Sequence, residues 1–200
     1  MPAPLDLTRK LASTRLLAMD VDGVLTDGRI IWGAAPASGN LLELKAFDVK
    51  DGLGLSLARA AGIRLAWITG RVSRLVAQRA RELQIDRLCE RVRDKGVALS
   101  ELCAEWEIPL AEAAFVGDDL NDLLAFRCAG LRIAVGDAAP EVREAADWIT
   151  GAPGGRGAVR EVVEALLRAR DAWDAAQERF LAALVEPAAD FDPLPGASAQ

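Results

Sequence analysis

The chain of 200 residues contains no histidine and no tyrosine. The first absence excludes the most chemistry: no Ser-His-Asp or Cys-His nucleophile system, no His-ligated zinc and no imidazole titrating near neutrality. Proton transfer falls to carboxylates, lysine, cysteine or water, so Asp and Glu are the first residues to inspect. Cysteine is scarce: Cys89, Cys103 and Cys128 form an odd set without Cys-x-x-Cys spacing, expected to be reduced and mostly buried. Basic charge is in deficit, with 24 Lys and Arg against 30 Asp and Glu and a net charge of −6. That argues against nucleic acid or an anionic membrane as partner, since both select a basic face. No apolar run approaches the roughly 18 residues of a membrane span. Residues 1–15 are too charged for a signal peptide, so a cytoplasmic location is expected.

What is present is a chain with 52% hydrophobic and 27% charged residues, enough to bury the core of one good-sized domain. From Arg15 onward, short apolar runs alternate with helical patterns. Strands are expected at Leu16–Met19, Arg64–Ile68, Arg87–Arg91, Ala113–Val116 and Leu131–Val135. Helices are expected at Asp51–Ala61, Val72–Leu83, Lys95–Glu105, Leu120–Cys128 and Ala139–Ala145. A hairpin is expected from Arg29–Trp32 and Leu41–Phe47, joined by the Gly/Ala/Pro/Ser-rich stretch 33–40. This alternation predicts an α/β fold, a Rossmann-like doubly wound parallel sheet with helices on both faces. Residues 1–14 read as an N-terminal segment and 15–168 as the domain, with the hairpin insertion at 29–47. One long helix is expected over 158–186, residues 169–186 extending it beyond the domain, and 187–200 as a disordered tail.

In such sheets chemistry collects at the carboxyl ends of strands. Asp20 and Asp22 follow the first strand, Thr69 the strand at 64–68, and Asp118, Asp119 and Asp122 the strand at 113–116. Two carboxylates as close as Asp20 and Asp22 repel unless a cation sits with them. An all-oxygen set of this kind suits Mg²⁺, which takes a few carboxylates, retained waters and substrate phosphate. Lys95 and the Thr69 hydroxyl would supply donors for a phosphoryl group. Taken singly, Asp20 and Asp22 could be turn residues, Asp118 and Asp119 a helix cap, and Arg71 a plain surface residue. Their order along the chain is what gives them weight.

Asp20-Val21-Asp22-Gly23-Val24, Ile68-Thr69-Gly70-Arg71, Asp94-Lys95 and Gly117-Asp118-Asp119-Leu120-Asn121-Asp122 resemble, in order, the four motifs of the haloacid dehalogenase superfamily of phosphatases. Lys45–Gly54 and the Gly-Gly-Arg-Gly-Ala-Val-Arg-Glu segment at Gly154–Glu161 narrow the resemblance to the phosphatases of 3-deoxy-D-manno-octulosonate 8-phosphate (Kdo 8-phosphate), which lack a large cap domain.

The resemblance implies a Mg²⁺-dependent phosphoric monoester hydrolase of lipopolysaccharide precursor biosynthesis. Its catalytic residues would be Asp20 as nucleophile, Asp22 as acid and base, and Thr69 and Lys95 as phosphoryl holders. Mg²⁺ would be ligated by Asp20, Asp118 and the Asp22 carbonyl, with Asp119 and Asp122 supporting. Asp48, Lys50, Asp51, Gly52, Arg71, Arg79 and Arg156 would contact the sugar acid, and Arg160 lies in the same tail segment as Arg156. The implied assembly is a homotetramer whose hairpins and Gly-rich tails help close neighbouring sites. The family commonly has Asn where this chain has Asp48. Arg71 favours the eight-carbon substrate, because a Glu commonly follows Thr-Gly in relatives acting on nonulosonate 9-phosphates. The reading from another class is a receiver-like signalling domain with a phospho-Asp. Asp22, two residues beyond Asp20, speaks against it.

Overall fold

The computed structural model describes residues 4–34 and 41–185. In chain order the elements are α1 (Pro4–Ser13), β1 (Leu16–Met19), β2 (Ile31–Ala34), β3 (Leu41–Leu44), α2 (Val49–Ala60), β4 (Arg64–Ile68), α3 (Arg74–Glu82) and β5 (Arg87–Cys89). There follow α4 (Lys95–Glu105), β6 (Ala113–Gly117), α5 (Leu123–Phe126), β7 (Leu131–Ala134), α6 (Pro140–Ala145), β8 (Trp148–Ile149), α7 (Ala158–Ala169) and α8 (Trp173–Val185). Short 3₁₀ turns occupy Leu110–Glu112 and Leu120–Asp122.

The apolar runs without alternation become strands buried on both faces, as a parallel sheet requires. Six strands lie in the order β5-β4-β1-β6-β7-β8, every pairing parallel. β1 is central, pairing Leu16 with Arg64 on one side and with Ala113 on the other. The chain builds one half of the sheet through β4 and β5, then crosses back to build the other from β6. The ends of β1, β4 and β6 therefore sit side by side where the winding reverses, the place at which open α/β sheets hold ligands.

Leu16, Leu17, Met19, Trp67 and Phe115 are fully buried in the resulting core. Helices α1, α2, α7 and α8 form one contacting layer, and α4, α5 and α6 another. Between β1 and α2 the chain inserts only the antiparallel pair β2 and β3, with Trp32 opposite Glu43. The doubly wound sheet, the small hairpin and the absence of a large cap among the described residues match the expected architecture.

Several boundaries differ, each for a local reason. Residues 4–13 form a helix that places Leu11 in the core. It is anchored by Lys10 to Asp147 at 3.1 Å and by the Arg170 guanidinium, whose Nε donates to the Ala12 carbonyl at 3.0 Å. Asp147 also accepts from Arg132 through the backbone N–H at 3.0 Å and through Nη2 at 2.6 Å. Burial would raise this carboxyl, but the Arg132 hydrogen bonds and Lys10 outweigh it and hold it at about 2.

The helix expected over 158–186 is two helices. Arg170 caps the first, Asp171 takes φ +53°, and the Ala172 N–H returns to the Leu167 carbonyl at 2.8 Å. The reversal sets the Trp173 ring against the guanidinium groups of Arg160 and Arg168, 5.4 and 4.9 Å from its centroid. It also folds α8 back on α2, so the expected apolar stripe is split: Leu166 is buried, whereas Leu184 is exposed.

The helix expected over 120–128 begins as a 3₁₀ turn, because the Asp122 side chain bends back to the backbone N–H of Asp118. Of the expected loop 33–40, Gly33 and Ala34 instead belong to β2, and residues 35–40, like the expected disordered tail 187–200, lie outside the described residues. No described helix is long and apolar enough to cross a membrane, and all three cysteines are free.

Candidate active site

Asp20 continues β1 by donating its N–H to the Val116 carbonyl at 3.0 Å, so its side chain leaves the sheet between β4 and β6. One carboxylate oxygen accepts the Val21 N–H at 2.7 Å and the other lies 2.8 Å from Lys95 Nζ. The chain then turns tightly, with the N–H groups of Leu25 and Thr26 both directed at the Val21 carbonyl. Gly23 sits in this turn at φ +98°, and a β-carbon there would lie 2.5 Å from the Asp118 Cγ. Only glycine satisfies both the dihedral and the approach.

Beneath that turn packs the Gly-rich tail, the Gly155 N–H donating to the Val24 carbonyl at 2.8 Å. The tail segment thus supports the Asp20–Thr26 turn of its own chain.

Thr69 ends β4, and its buried hydroxyl oxygen accepts the Arg71 N–H at 3.2 Å. Lys95 stands in the first turn of α4, which Asp94 caps by accepting the Gly96 and Val97 N–H groups at 2.9 and 3.0 Å. Its ammonium joins Asp20 to Asp122, 2.6 Å away. Burial acts to lower the Lys95 pKa, but the charges of Asp122 and Asp20 outweigh it and raise it. Lys95 is therefore held as a cation between Asp20 and Asp122.

Asp20, Asp22, Thr69, Arg71, Asp118 and Asp119 line a cavity of about 440 Å³, together with Gly28, Gly70, Leu120 and Asn121. Asp20, Asp118 and Asp122 each direct a carboxylate oxygen to within 4.8 Å of the others. Asp122 has both oxygens committed, one to Lys95 and one to the Asp118 N–H at 2.8 Å. Asp118 differs, since its buried Oδ1 has no hydrogen-bond partner. An orphaned carboxylate oxygen beside Asp20 is the donor set that a hard cation completes, and Mg²⁺ fits it. Asp122 then orients Asp118, while Asp119 caps the 3₁₀ turn by accepting the Leu120 N–H at 2.7 Å.

The electrostatics point the same way. Burial, then the Asp122 charge, raises Asp20 to about 6 against the opposing pull of Lys95. Burial, then Asp122 and Asp20, raises Asp118 to about 8. Acids this strained by one another favour a cation between them.

Three residues that sequence reasoning missed complete the rim. Lys45 makes a very short ion pair with Asp22, and Arg71 Nε lies 3.5 Å from the other Asp22 oxygen. Arg71 Nη2 donates to Glu43 at 2.8 Å, and Ser73 Oγ donates to the same carboxylate at 2.6 Å. The available signal was the spacing Glu43-x-Lys45, which puts two opposite charges on one side of an extended chain.

Of the seven residues assigned to the sugar acid, only Arg71 lines the cavity of this chain. Asp48 caps α2, accepting the Lys50 N–H at 2.7 Å, and the Lys50 side chain is exposed. Asp51 is 1% exposed and turned inward, where it accepts the N–H groups of Gly157 at 3.1 Å and Arg160 at 2.8 Å. It caps α7 because α2 begins at Val49 and winds Asp51 onto its inner face. Gly52 lies against the Arg79 guanidinium, which pairs with Glu82 at 3.1 Å, and Arg156 is exposed. Arg160 pairs with Glu164 at 2.7 Å.

Known proteins resemble this chain in sequence and fold. The haloacid dehalogenase-like hydrolase model matches residues 88–161. The 3-deoxy-D-manno-octulosonate 8-phosphate phosphatase KdsC of Escherichia coli K12 is 43% identical over 88% of this chain and 91% of its own. The crystal structure of the Moraxella catarrhalis phosphatase of that name, in complex with a magnesium ion, a phosphate ion and a KDO molecule, has a TM-score of 0.81 at 43% identity. That match covers 91% of this chain and 99% of the other. The cobalt-bound Haemophilus influenzae enzyme gives 0.77 at 33% identity, covering 86% and 99%. With its acidic sheet edge, its hairpin in place of a cap and these relatives, the chain belongs to the haloacid dehalogenase superfamily and, within it, to the 3-deoxy-D-manno-octulosonate 8-phosphate phosphatases.

Proposed function

We propose that this protein is a Mg²⁺-dependent phosphatase that converts Kdo 8-phosphate to Kdo and phosphate, a supply step for lipopolysaccharide. The observation that carries the reading is the orphaned Asp118 oxygen beside Asp20 in a cavity whose rim holds Arg71. The Moraxella relative, with magnesium, phosphate and KDO in its complex, supports it.

Asp20 attacks phosphorus in line, the bond from phosphorus to the sugar oxygen breaks, and Asp22 gives its proton to the departing alkoxide. Water then attacks the aspartyl phosphate, Asp22 takes a proton from it, and phosphate leaves with Asp20 restored. Lys95 holds Asp20 in one orientation, and the Thr69 hydroxyl faces the cavity as a donor for a phosphoryl oxygen. When bound by Asp20, Asp118 and the Asp22 carbonyl, Mg²⁺ supplies charge neutralisation for the transferring phosphoryl group. Asp22 lines the same cavity two residues beyond Asp20, the acid/base position that a receiver domain lacks.

The hairpin supports the homotetrameric reading. Ile31, Leu42 and Leu44 are exposed on one side of the hairpin, and Trp32 (58% exposed) and Leu41 (72%) on the other, apolar surface suited to burial between copies in a cytoplasmic enzyme.

The experiment is phosphate release from Kdo 8-phosphate by the wild type, Asp20→Asn and Asp22→Asn. Loss of turnover in the first variant, and a large loss in the second, supports the assignment. Full activity of Asp20→Asn overturns it.

A further inference from the structure

Behind Asp22 and Arg71 stand Glu43 and Ser73, whose geometry is specific. Glu43 has both oxygens committed, one to Arg71 Nη2 at 2.8 Å and the other to Ser73 Oγ at 2.6 Å. Ser73 stands at the N-cap of α3, yet it makes no capping hydrogen bond, because its hydroxyl goes to Glu43 instead. Its own N–H is held by Glu90 at 3.1 Å, so the serine is fixed from behind. A capping serine normally turns its oxygen to the helix. Here it is diverted to a carboxylate on another element, the hairpin strand β3.

The consequence falls on Arg71. With Nη2 tied to Glu43, its Nε is buried without a hydrogen-bond partner, close to Asp22 at the cavity rim. A guanidinium offers donors in a rigid planar fork, so fixing one nitrogen fixes the direction of the others. Nε thus faces the Asp22 carboxylate, while the guanidinium as a whole is 37% exposed at the cavity that Arg71 lines. A carboxylate of the substrate is an acceptor of the right chemistry.

We infer that Glu43, braced by Ser73, is the positioning residue that aims Arg71 at the carboxylate of the sugar acid, so that the hairpin helps set which phosphates the site accepts. Glu43 acts through Arg71 and touches no reacting atom. Burial acts to raise its carboxyl, but Ser73, Lys45 and Arg71 outweigh it and keep it ionised. The inference rests on the sugar-acid phosphatase reading given above.

The test compares wild type, Glu43→Gln and Ser73→Ala on two substrates, Kdo 8-phosphate and p-nitrophenyl phosphate, which has no carboxylate. Glu43→Gln keeps the size of the side chain but weakens the hold on Arg71. It is expected to raise KM for Kdo 8-phosphate roughly five- to thirtyfold, with kcat much less affected. The preference for Kdo 8-phosphate over p-nitrophenyl phosphate in kcat/KM is expected to fall by a similar factor. Ser73→Ala moves both quantities the same way by less. Equal losses on the two substrates, an unchanged KM, or a lower KM in Glu43→Gln would each overturn the inference while leaving the phosphatase reading in place. A wild type inactive on Kdo 8-phosphate yet active on p-nitrophenyl phosphate overturns both.

Discussion

Lys95 Nζ lies 2.8 Å from Asp20 and 2.6 Å from Asp122, with the lysine itself only 1% exposed. One cation thereby holds both Asp20 and the carboxylate that accepts the Asp118 N–H. Replacing it leaves two buried carboxylates facing each other. Lys95→Met is expected to cost about 3–5 kcal/mol of stability and to lower kcat/KM by roughly 10²–10³. Denaturant unfolding and steady-state kinetics measure the two effects. A variant of wild-type stability would show that the lysine is not carrying this charge balance.

The raised carboxyls give a pH dependence whose sign is fixed. Asp20 at about 6 and Asp118 at about 8 bind protons more tightly in the folded chain than their ordinary 3.8. Their contribution to stability is thus full below the ordinary value and is lost as pH rises through about 6 and then about 8. Metal-free protein is expected to show a lower Tm at about pH 8.5 than at about pH 5.5 from these two groups. Mg²⁺ binds the deprotonated acids, so the rise in Tm that it causes is expected to grow over the same interval. Thermal scans with and without Mg²⁺ decide, and a Mg²⁺ effect that shrinks with pH would contradict the site.

Gly23 carries both a left-handed φ and a close approach to Asp118. Gly23→Ala forces the turn and the carboxylate apart. The expected cost is about 1–3 kcal/mol of stability, with kcat/KM reduced roughly 10²-fold and Mg²⁺ bound more weakly. Mg²⁺ titration of this variant checks the link, and wild-type affinity would break it.

Asp51 separates a structural role from a substrate contact. As the cap of α7, Asp51→Ala is expected to cost about 1–2 kcal/mol and to leave KM for the sugar phosphate within about twofold. A large rise in KM at unchanged Tm would return Asp51 to the substrate.

Much of this architecture was legible in the sequence, because buried parallel strands read as uninterrupted apolar runs and their carboxyl ends are where Asp20, Thr69 and Asp118 stand. The cavity brings together Asp20, Asp22, Thr69, Arg71, Asp118 and Asp119 as that reading expected, and Lys95 and Asp122 stand directly behind it. What stayed hidden depends on tertiary contacts. The short helix α1 survives on Leu11, Lys10 and Arg170, partners up to 158 residues away in sequence. The break at Asp171 follows from the fold-back of α8, which a continuous apolar stripe conceals. Asp51 reads in the sequence as the first residue of a helix, whereas α2 begins at Val49 and turns Asp51, its third residue, toward the start of α7. Glu43 and Lys45 were overlooked because an exposed hairpin shows its charges without showing what they face.

The most direct test of the central claim is phosphate release from Kdo 8-phosphate, measured beside a nonulosonate 9-phosphate, in Mg²⁺ and in EDTA. The account predicts turnover in Mg²⁺ that EDTA abolishes and excess Mg²⁺ restores, with kcat/KM higher for the eight-carbon substrate. Turnover that persists in EDTA, or a clear preference for the nine-carbon substrate, would contradict it.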